Sequence, residues 1–400
     1  AKDRRQRQMC IRDRPKGAYV RPWCEDPPKG SFGIDRETRE ILGPIEELGY
    51  TKFTGEEKVF DTWMDSSNSN LYVSGYGQKD VDFARTYPTN LRPQGKEIVR
   101  TWLYYTLLKS AHLFDQPGFK SVWIDGLGMD PWGRKMSKSW GNGIDADSVL
   151  DCGLSGKTGS WKIRGPDGKS VNLRANKIGS ECFRLWKAAD AQVGDDFHIN
   201  PEEIESKYFG ILTKIYNVAR FASQFPFEDL RPSVIKPEDV WILSEYDNLI
   251  KETMEDWKRI DIYSATQKVK VFLTGIFSSH WMELAKTRLY DSDPSSLWTI
   301  HSILSGCLKI FSPVCPLFCH HLSTILYNES TIKVDMYPTP LGYDLQDRTK
   351  ITQSIVKFNT MVWKEKKSQN VSLKSSVSGI QIPELLQDYS EGLTKMHNLV

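Results

Sequence analysis

At 400 residues the chain has room for two or three domains, each with its own core. With 39% hydrophobic and 26% charged residues its composition is that of an ordinary globular protein; no apolar run reaches the ~18 residues of a membrane span, and the charged residues 1–14 are not the pattern expected of a secretory signal. Lys plus Arg (53) nearly cancels Asp plus Glu (51), leaving a net charge of +2, so a surface for nucleic acid would have to gather its positive charge locally.

Residues 1–14, AKDRRQRQMCIRDR, are strongly basic, do not begin with Met and show no periodicity. They read as a leader foreign to the native chain, which would make the chain a truncated piece; the competing reading is a nucleic-acid-binding arm. Residues 15–57 are rich in Pro and Gly, with a helical segment over 38–47, and read as the end of an insertion. Val59–Met64 has a short strand pattern followed by a polar turn, Asp65–Asn68. Leu91–Gly95 closes a second strand on glycine. Over Lys96–Phe114 the residues Ile98, Trp102, Tyr105 and Leu108 recur at helical spacing, and Ser121–Leu127 is again strand-like. Strand, helix and strand in that order predict a βαβ unit with a parallel sheet, whose ligands bind beyond the carboxyl ends of the strands.

An interruption follows at 153–178, where Trp161–Arg164 and Val171–Leu173 flank Gly165-Pro166-Asp167-Gly168 as the arms of a hairpin. From Pro201 the pattern is almost wholly helical, with helices expected over 203–223, 236–256, 262–288, 295–311, 315–327 and 346–366, a bundle joined by short connections. Ile332–Met336 and Ile380–Ile382 are strand-like. The seven cysteines (10, 24, 152, 182, 307, 315 and 319) form no C-x-x-C pair; Cys315 and Cys319 read as buried free thiols in a reducing, intracellular setting, with no zinc motif.

The chemistry concentrates in Gly133-Arg134-Lys135-Met136-Ser137-Lys138-Ser139-Trp140-Gly141-Asn142. This segment follows the second βαβ strand and opens onto Asp145, a candidate N-cap. Two lysines three apart among serines make a loop that can wrap phosphates, each ammonium acting as a mobile point charge. Attack at an α-phosphate with pyrophosphate leaving asks little more of a protein than such charge stabilisation. A solvated basic turn is the bland alternative, and the whole pentapeptide followed by Gly-Asn speaks against it.

Lys135–Ser139 resembles the KMSKS motif of class I aminoacyl-tRNA synthetases. Asp61-Thr62-Trp63-Met64-Asp65-Ser66-Ser67 resembles the D-T-W-[FM]-x-S-S segment of the valine, isoleucine and leucine branches. Gly95–Trp102 resembles their G-x-D-x-x-x-x-W segment, and Gly179-Ser180-Glu181-Cys182-Phe183-Arg184-Leu185-Trp186 the G-A-D-A-x-R-x-W helix. Trp241–Ser244 and Glu283–Tyr290 resemble parts of the helical anticodon-binding domain. The similarity covers nearly all of residues 55–400, and the valine branch in its archaeal style fits best.

The resemblance implies an α/β then all-α chain: the C-terminal half of a Rossmann-type parallel-sheet catalytic domain over 58–200, an α-helical anticodon-binding bundle over 201–345, and a small α/β extension over 346–400. It implies a cytoplasmic, monomeric ligase that uses ATP with Mg2+, valine and tRNA(Val). Lys135 and Lys138 would be catalytic, with Lys138 stabilising the triphosphate and Met136, Ser137 and Ser139 completing the ATP loop. Gly95 and Glu97 would hold the adenosine part, and Trp63 and Ile98 would wall the valine pocket. On their own residues, Trp63 and Ile98 also suit plain core positions, and Glu97, where the family has Asp, also suits a helix start.

Two departures limit the reading. The partner ATP motif of the class, H-I-G-H or a variant, does not occur in the sequence, so this chain is not expected to activate valine unaided. An apolar pocket cannot strongly reject threonine, a limit for which this very family is the standard example, and the editing domain that the family inserts before Asp61 is missing. The competing assignments are the isoleucine branch and a non-catalytic tRNA-binding or assembly protein that keeps this half of the fold.

Overall fold

The computed structural model describes residues 32–34, 40–47, 61–152, 158–328 and 337–400. The chain forms two compact units that part between Ile124 and Asp125, and each is taken by itself.

The first unit opens with β1 (Phe32–Ile34) and β2 (Ile41–Pro44), which pair antiparallel with Gly33 opposite Gly43. The helix expected over 38–47 does not form in its described part. Gly43 sits at φ 121°, which no helix accommodates, and only a 3-10 turn follows at Ile45–Glu47. Three short helices come next: α1 (Thr62–Ser66), α2 (Ser69–Val73) and α3 (Phe83–Thr86). The strand pattern read over Val59–Met64 is replaced by α1 from Thr62 onward, because the Asp61 carboxylate accepts the Trp63 N–H at 3.0 Å and starts a helix; residues 59 and 60 lie outside the described residues. Tyr76, Phe83, Tyr87 and Phe114 close a ring cluster with centroids 4.7 to 5.4 Å apart.

The strand–helix–strand order is present. β3 (Thr89–Gly95) leads into a helical run and then into β4 (Phe119–Asp125), with which it pairs. The run begins as a 3-10 turn at Lys96–Ile98, widens to i→i+5 turns over Val99–Leu103 and settles into α4 (Tyr104–Phe114).

In the second unit β5 (Gly128–Met129) pairs parallel with β8 (Phe197–His198). Between them lie α5 (Ala146–Asp151), the hairpin of β6 (Gly159–Arg164) and β7 (Ser170–Ala175), and α6 (Gly179–Asp190). Asp145 caps α5 through Ser148 N–H at 3.0 Å, as its position suggested.

The helices expected from apolar spacing are present to within a few residues. They are α7 (Pro201–Ile204) running on through Phe209 into α8 (Gly210–Ala222), α9 (Pro237–Lys258), α10 (Ile262–Val271) running on through Trp281 into α11 (Met282–Tyr290), α12 (Pro294–Phe311), α13 (Pro316–Tyr327) and α14 (Arg348–Ser368). Proline stands at the start of α7, α9, α12 and α13, where a missing N–H costs nothing. A last helix, α15 (Ser390–His397), follows a 3-10 segment at Glu384–Tyr389. Ile380–Ile382 is not a strand: that segment is irregular, and the backbone pairing nearby is a single parallel bridge between Val377 and Leu399. Ile332–Met336 lies outside the described residues.

One apolar core runs through the second unit from Val149 to Leu393, taking in Trp161 and Ile163 of the hairpin with Trp241, Phe277 and Trp281 of the bundle. Cys152, Cys182, Cys307, Cys315 and Cys319 are all buried free thiols, and burial pushes the Cys319 thiol well above its ordinary range. Among the described residues no helix is long and apolar enough to cross a membrane.

Candidate functional site

In the first unit the residues singled out from the sequence gather around the start of the helical run. Helix α1 packs against Val99–Leu103, and Trp102 Nε1 donates to Ser66 O at 3.1 Å. Lys109 Nζ donates to Met64 O and, at 3.0 Å, to Asn68 Oδ1. These bonds hold helix α1 beside Trp63 while leaving that residue 38% exposed, and Ile98 is only half-buried. Neither is a plain core residue. Glu97 is exposed, and its carboxylate folds over Gly95 into the space that any side chain at 95 would need. A side chain at 95 would have to displace only this exposed, flexible carboxylate, so the contact by itself does not demand glycine at the strand end.

The Lys135–Ser139 loop belongs to the second unit and grows out of β5. Gly133 (φ 78°) and Gly141 (φ 65°) turn the chain at its two ends, in the left-handed region that other residues avoid. Beneath it lies Asp130, fully buried. Asp130 Oδ1 accepts from Trp132 N at 3.0 Å and Arg134 N at 2.9 Å; Oδ2 accepts from Arg134 Nε at 2.8 Å and Asn142 Nδ2 at 2.9 Å. Burial by itself raises the pKa of this carboxyl, but the bonds from Asn142, Arg134 and Trp132 together outweigh it and hold the group below the usual carboxylate value.

Asn142, also buried, completes the frame by donating to Lys135 O at 3.1 Å and accepting from Ser137 N at 2.9 Å. Ser137 O in turn accepts from the N–H groups of Trp140 and Gly141, both at 3.1 Å. The loop backbone is thus bonded from inside at both ends. Its side chains are presented outward: Lys135, Lys138 and Ser139 are exposed, Met136 and Ser137 half-buried, and the two serine hydroxyls bond each other at 2.7 Å. Neither lysine has a carboxylate partner among the described residues. Two free ammonium groups on a held backbone are what phosphate binding requires.

Sequence reasoning assigned no individual task to Asp130, Arg134 and Asn142, or to the hairpin, and the structure joins them. Arg134 reaches past Asp130 to the hairpin tip, donating from Nη1 to Gly165 O at 3.1 Å and from Nη2 to Arg164 O at 2.5 Å. Arg164 N answers by donating to Gly141 O at 3.0 Å. At its other end the hairpin is tied to the start of the bundle, where Arg174 N donates to Glu202 Oε1 at 2.9 Å and Lys177 N to Glu205 Oε2 at 2.7 Å. The only signal in the sequence was the interruption itself.

The remaining motif residues are architectural. Glu181 accepts from Phe318 N at 2.9 Å at the start of α13, and Arg184 donates to Val314 O at 2.8 Å and Pro313 O at 3.0 Å. Arg288 forks onto Asp239 at 2.7 and 2.8 Å and reaches Asp293 at 3.0 Å, while Trp281 Nε1 donates to Asp239 at 3.0 Å. Trp241 bonds Thr352 Oγ1 at 2.8 Å. These groups tie helices together inside the bundle.

Residues 33–200 match the family model described as tRNA synthetases class I (I, L, M and V), and residues 239–381 match that of the anticodon-binding domain of tRNA ligase. The chain is 31% identical over 353 residues to the valine–tRNA ligase of Nanoarchaeum equitans, covering 87% of this chain and 43% of that protein. It is 30% identical to that of Aeropyrum pernix, covering 95% and 43%. The chain therefore spans less than half the length of these relatives. Among solved structures, the ternary complex of the Agrobacterium radiobacter K84 agnB2 LeuRS with tRNA and LeuAMS superposes with a TM-score of 0.55 at 15% identity, over 79% of this chain and 36% of that one. At that identity the likeness is one of fold.

Proposed function

The chain belongs to the class I tRNA synthetases, of the group that includes the I, L, M and V enzymes, and from that we propose that it is part of a valine–tRNA ligase. The complete enzyme would join the valine carboxylate to the α-phosphate of ATP, releasing pyrophosphate, and then pass the valyl group to the 3′ end of tRNA(Val). Relatives named as valine–tRNA ligases at 30 to 31% identity over most of the chain support this reading.

The observation that carries it is the bonded loop with two free lysines. In this reading Lys138 and Lys135 stabilise the charge that builds on the phosphates as the pentavalent transition state forms, as mobile point charges on an immobile backbone. Ser137, Ser139 and Met136 complete the ATP loop. Glu97, curled over Gly95, takes the adenosine part, and Trp63 and Ile98, both part-exposed, wall the pocket for the valine side chain. The Mg2+ proposed with ATP would travel on the triphosphate, as Mg2+ commonly does at phosphate-transfer sites.

Pyrophosphate exchange by the complete gene product tests the assignment. Valine is expected to drive exchange at least about a hundredfold better than isoleucine, the scale on which an apolar pocket separates side chains that differ by one methylene. An isoleucine preference would move the assignment to that branch. RNA binding with no exchange for any amino acid would make the protein a non-catalytic tRNA binder.

A further inference from the structure

The hairpin has an outward face as well as an inward one. Trp161, Ile163, Leu173 and Ala175 point into the core, so the alternate residues are exposed. The cross-strand register pairs Ser160 with Arg174, Lys162 with Asn172, and Arg164 with Ser170. Each of these three rungs of the outer face therefore holds one exposed cation and one exposed neutral hydrogen-bonding residue, and none holds an acid. Lys162, Arg164 and Arg174 make no ion pair among the described residues.

Some exposed cations elsewhere in this unit sit in ion pairs instead. Lys258, Lys350 and Lys395 each lie 2.7 Å from a carboxylate of their own helix, Glu255, Asp347 and Glu391. A solvated face would be expected to mix signs in that manner. The hairpin face is also rigid: the core holds one side, Arg134 holds the tip, and Glu202 with Glu205 hold the foot. Its Arg164 N–H bonds Gly141 O, so the face adjoins the phosphate loop.

We propose that the outer face of the β6–β7 hairpin is an RNA-binding surface, on which Lys162, Arg164 and Arg174 contact phosphates of the tRNA backbone while Ser170 and Asn172, whose Oδ1 accepts from Ser160 Oγ at 2.7 Å and so turns its Nδ2 free, offer hydrogen bonds to sugar or phosphate oxygens. Unpaired cations on a fixed sheet release counterions from a polyanion and read its backbone rather than its sequence. That the polyanion is tRNA rests on the function proposed above; the basic face does not.

Binding of labelled tRNA to the 400-residue chain, measured across salt concentrations, tests the proposal. The variant Lys162→Gln/Arg164→Gln/Arg174→Gln is expected to weaken binding at least about tenfold near 0.15 M salt and to shrink the slope of log K against log salt by about 2 to 3. Lys258→Gln/Lys350→Gln/Lys395→Gln removes the same charge from the helices and is expected to leave the slope unchanged. The single variant Lys162→Gln, at mid-strand, is expected to show about a third of the slope effect and serves if the triple variant does not fold. An unchanged slope in the hairpin variants, or an equal loss in the helix variant, overturns the proposal. So does tighter, hairpin-dependent binding to phosphatidylserine vesicles than to tRNA. A hairpin-dependent slope with no preference for tRNA(Val) over other tRNAs would count against the valine assignment and leave the surface standing.

Discussion

Two aspartates in the second unit are fully buried beside an arginine, and they serve opposite ends. Asp130 with Arg134 lies under a surface loop and spends its bonds on backbone: the N–H groups of Trp132 and Arg134, and through Asn142 those of the loop beyond. Asp239 with Arg288 lies inside the bundle and spends its bonds on side chains from other helices, Trp281 and Ser295 among them. A buried carboxylate costs several kcal/mol to desolvate wherever it is placed. Fixing the course of a loop and fixing the packing of helices are two different returns on that cost, and they fail differently.

The largest expected effect falls on the bundle. Arg288→Ala would leave Asp239 buried without its counter-charge and Asp293 with Lys236 alone, 3.3 Å away, and should cost about 3 to 5 kcal/mol of stability. Urea unfolding followed by tryptophan fluorescence would register this as a lowered midpoint with an unchanged slope. A loss under about 1 kcal/mol would mean that water, not Arg288, satisfies those carboxylates.

Acid should separate the two regions next. His397 is buried, its Nε2 bonded to Asn359 Oδ1 at 2.8 Å, and Asn359 bonds His280 Nδ1 at 3.0 Å. Burial, with Lys366 and His280 nearby, pulls the His397 pKa down to about 4, and burial with Lys214 lowers that of His280. Because the folded value lies below the unfolded one, stability is full above about pH 6.5 and is lost as pH falls toward 4, by about 3 kcal/mol for His397 alone. The Asp130 carboxyl is lowered in the opposite chemical sense: its contribution is present above the ordinary carboxylate pKa and is lost only below it. Hydrogen exchange at pH 5 should therefore loosen α14 and α15 while the amides of Arg134 and Ser137 stay protected. Loosening of the loop first would contradict the assignment of charge states.

The contrast also explains what could be read from the sequence. Helices α8 to α14 were legible because each buries one apolar stripe, a periodic signal. The loop was legible because its chemistry is local: Lys135 and Lys138 stand within one pentapeptide. Helix α1 was misread because Thr62, Trp63 and Met64 suit a strand as well as a helix, and one capping carboxylate, Asp61, decided it. The strand assignment at Ile380–Ile382 failed because alternation over three residues carries little information. Least visible were Asp130 and Asn142, twelve residues apart with the loop between them, and the fork from Arg134 to carbonyls thirty residues on. Backbone acceptors carry no side-chain signature, so no pattern of residue types announces such bonds.

Within the loop region, Asn142→Ala should come third in size. It would strip the acceptor from Ser137 N and the donor from both Lys135 O and the buried Asp130 Oδ2, at about 1 to 3 kcal/mol if the freed groups stay dry. The effect should be local, seen as faster exchange at Ser137 without a matching drop in the urea midpoint.

Arg134→Lys is the smallest change and the most discriminating. Lysine keeps a positive charge beside Asp130, so the ion pair can persist, but an ammonium cannot donate at once to Asp130, Arg164 O and Gly165 O in the planar geometry of a guanidinium. Each lost neutral bond is worth about 1 kcal/mol or less where water can replace it, as the half-exposed Arg134 permits. Global stability should hardly move. Exchange at residues 135–139 should rise roughly tenfold, the equivalent of about 1.4 kcal/mol in local opening, and trypsin should cut after Lys135 and Lys138 sooner, while exchange around Asp239 stays as it was. An unchanged loop would show that Asp130 and Asn142 suffice to hold it, and that the hairpin tip rests on the loop without restraining it.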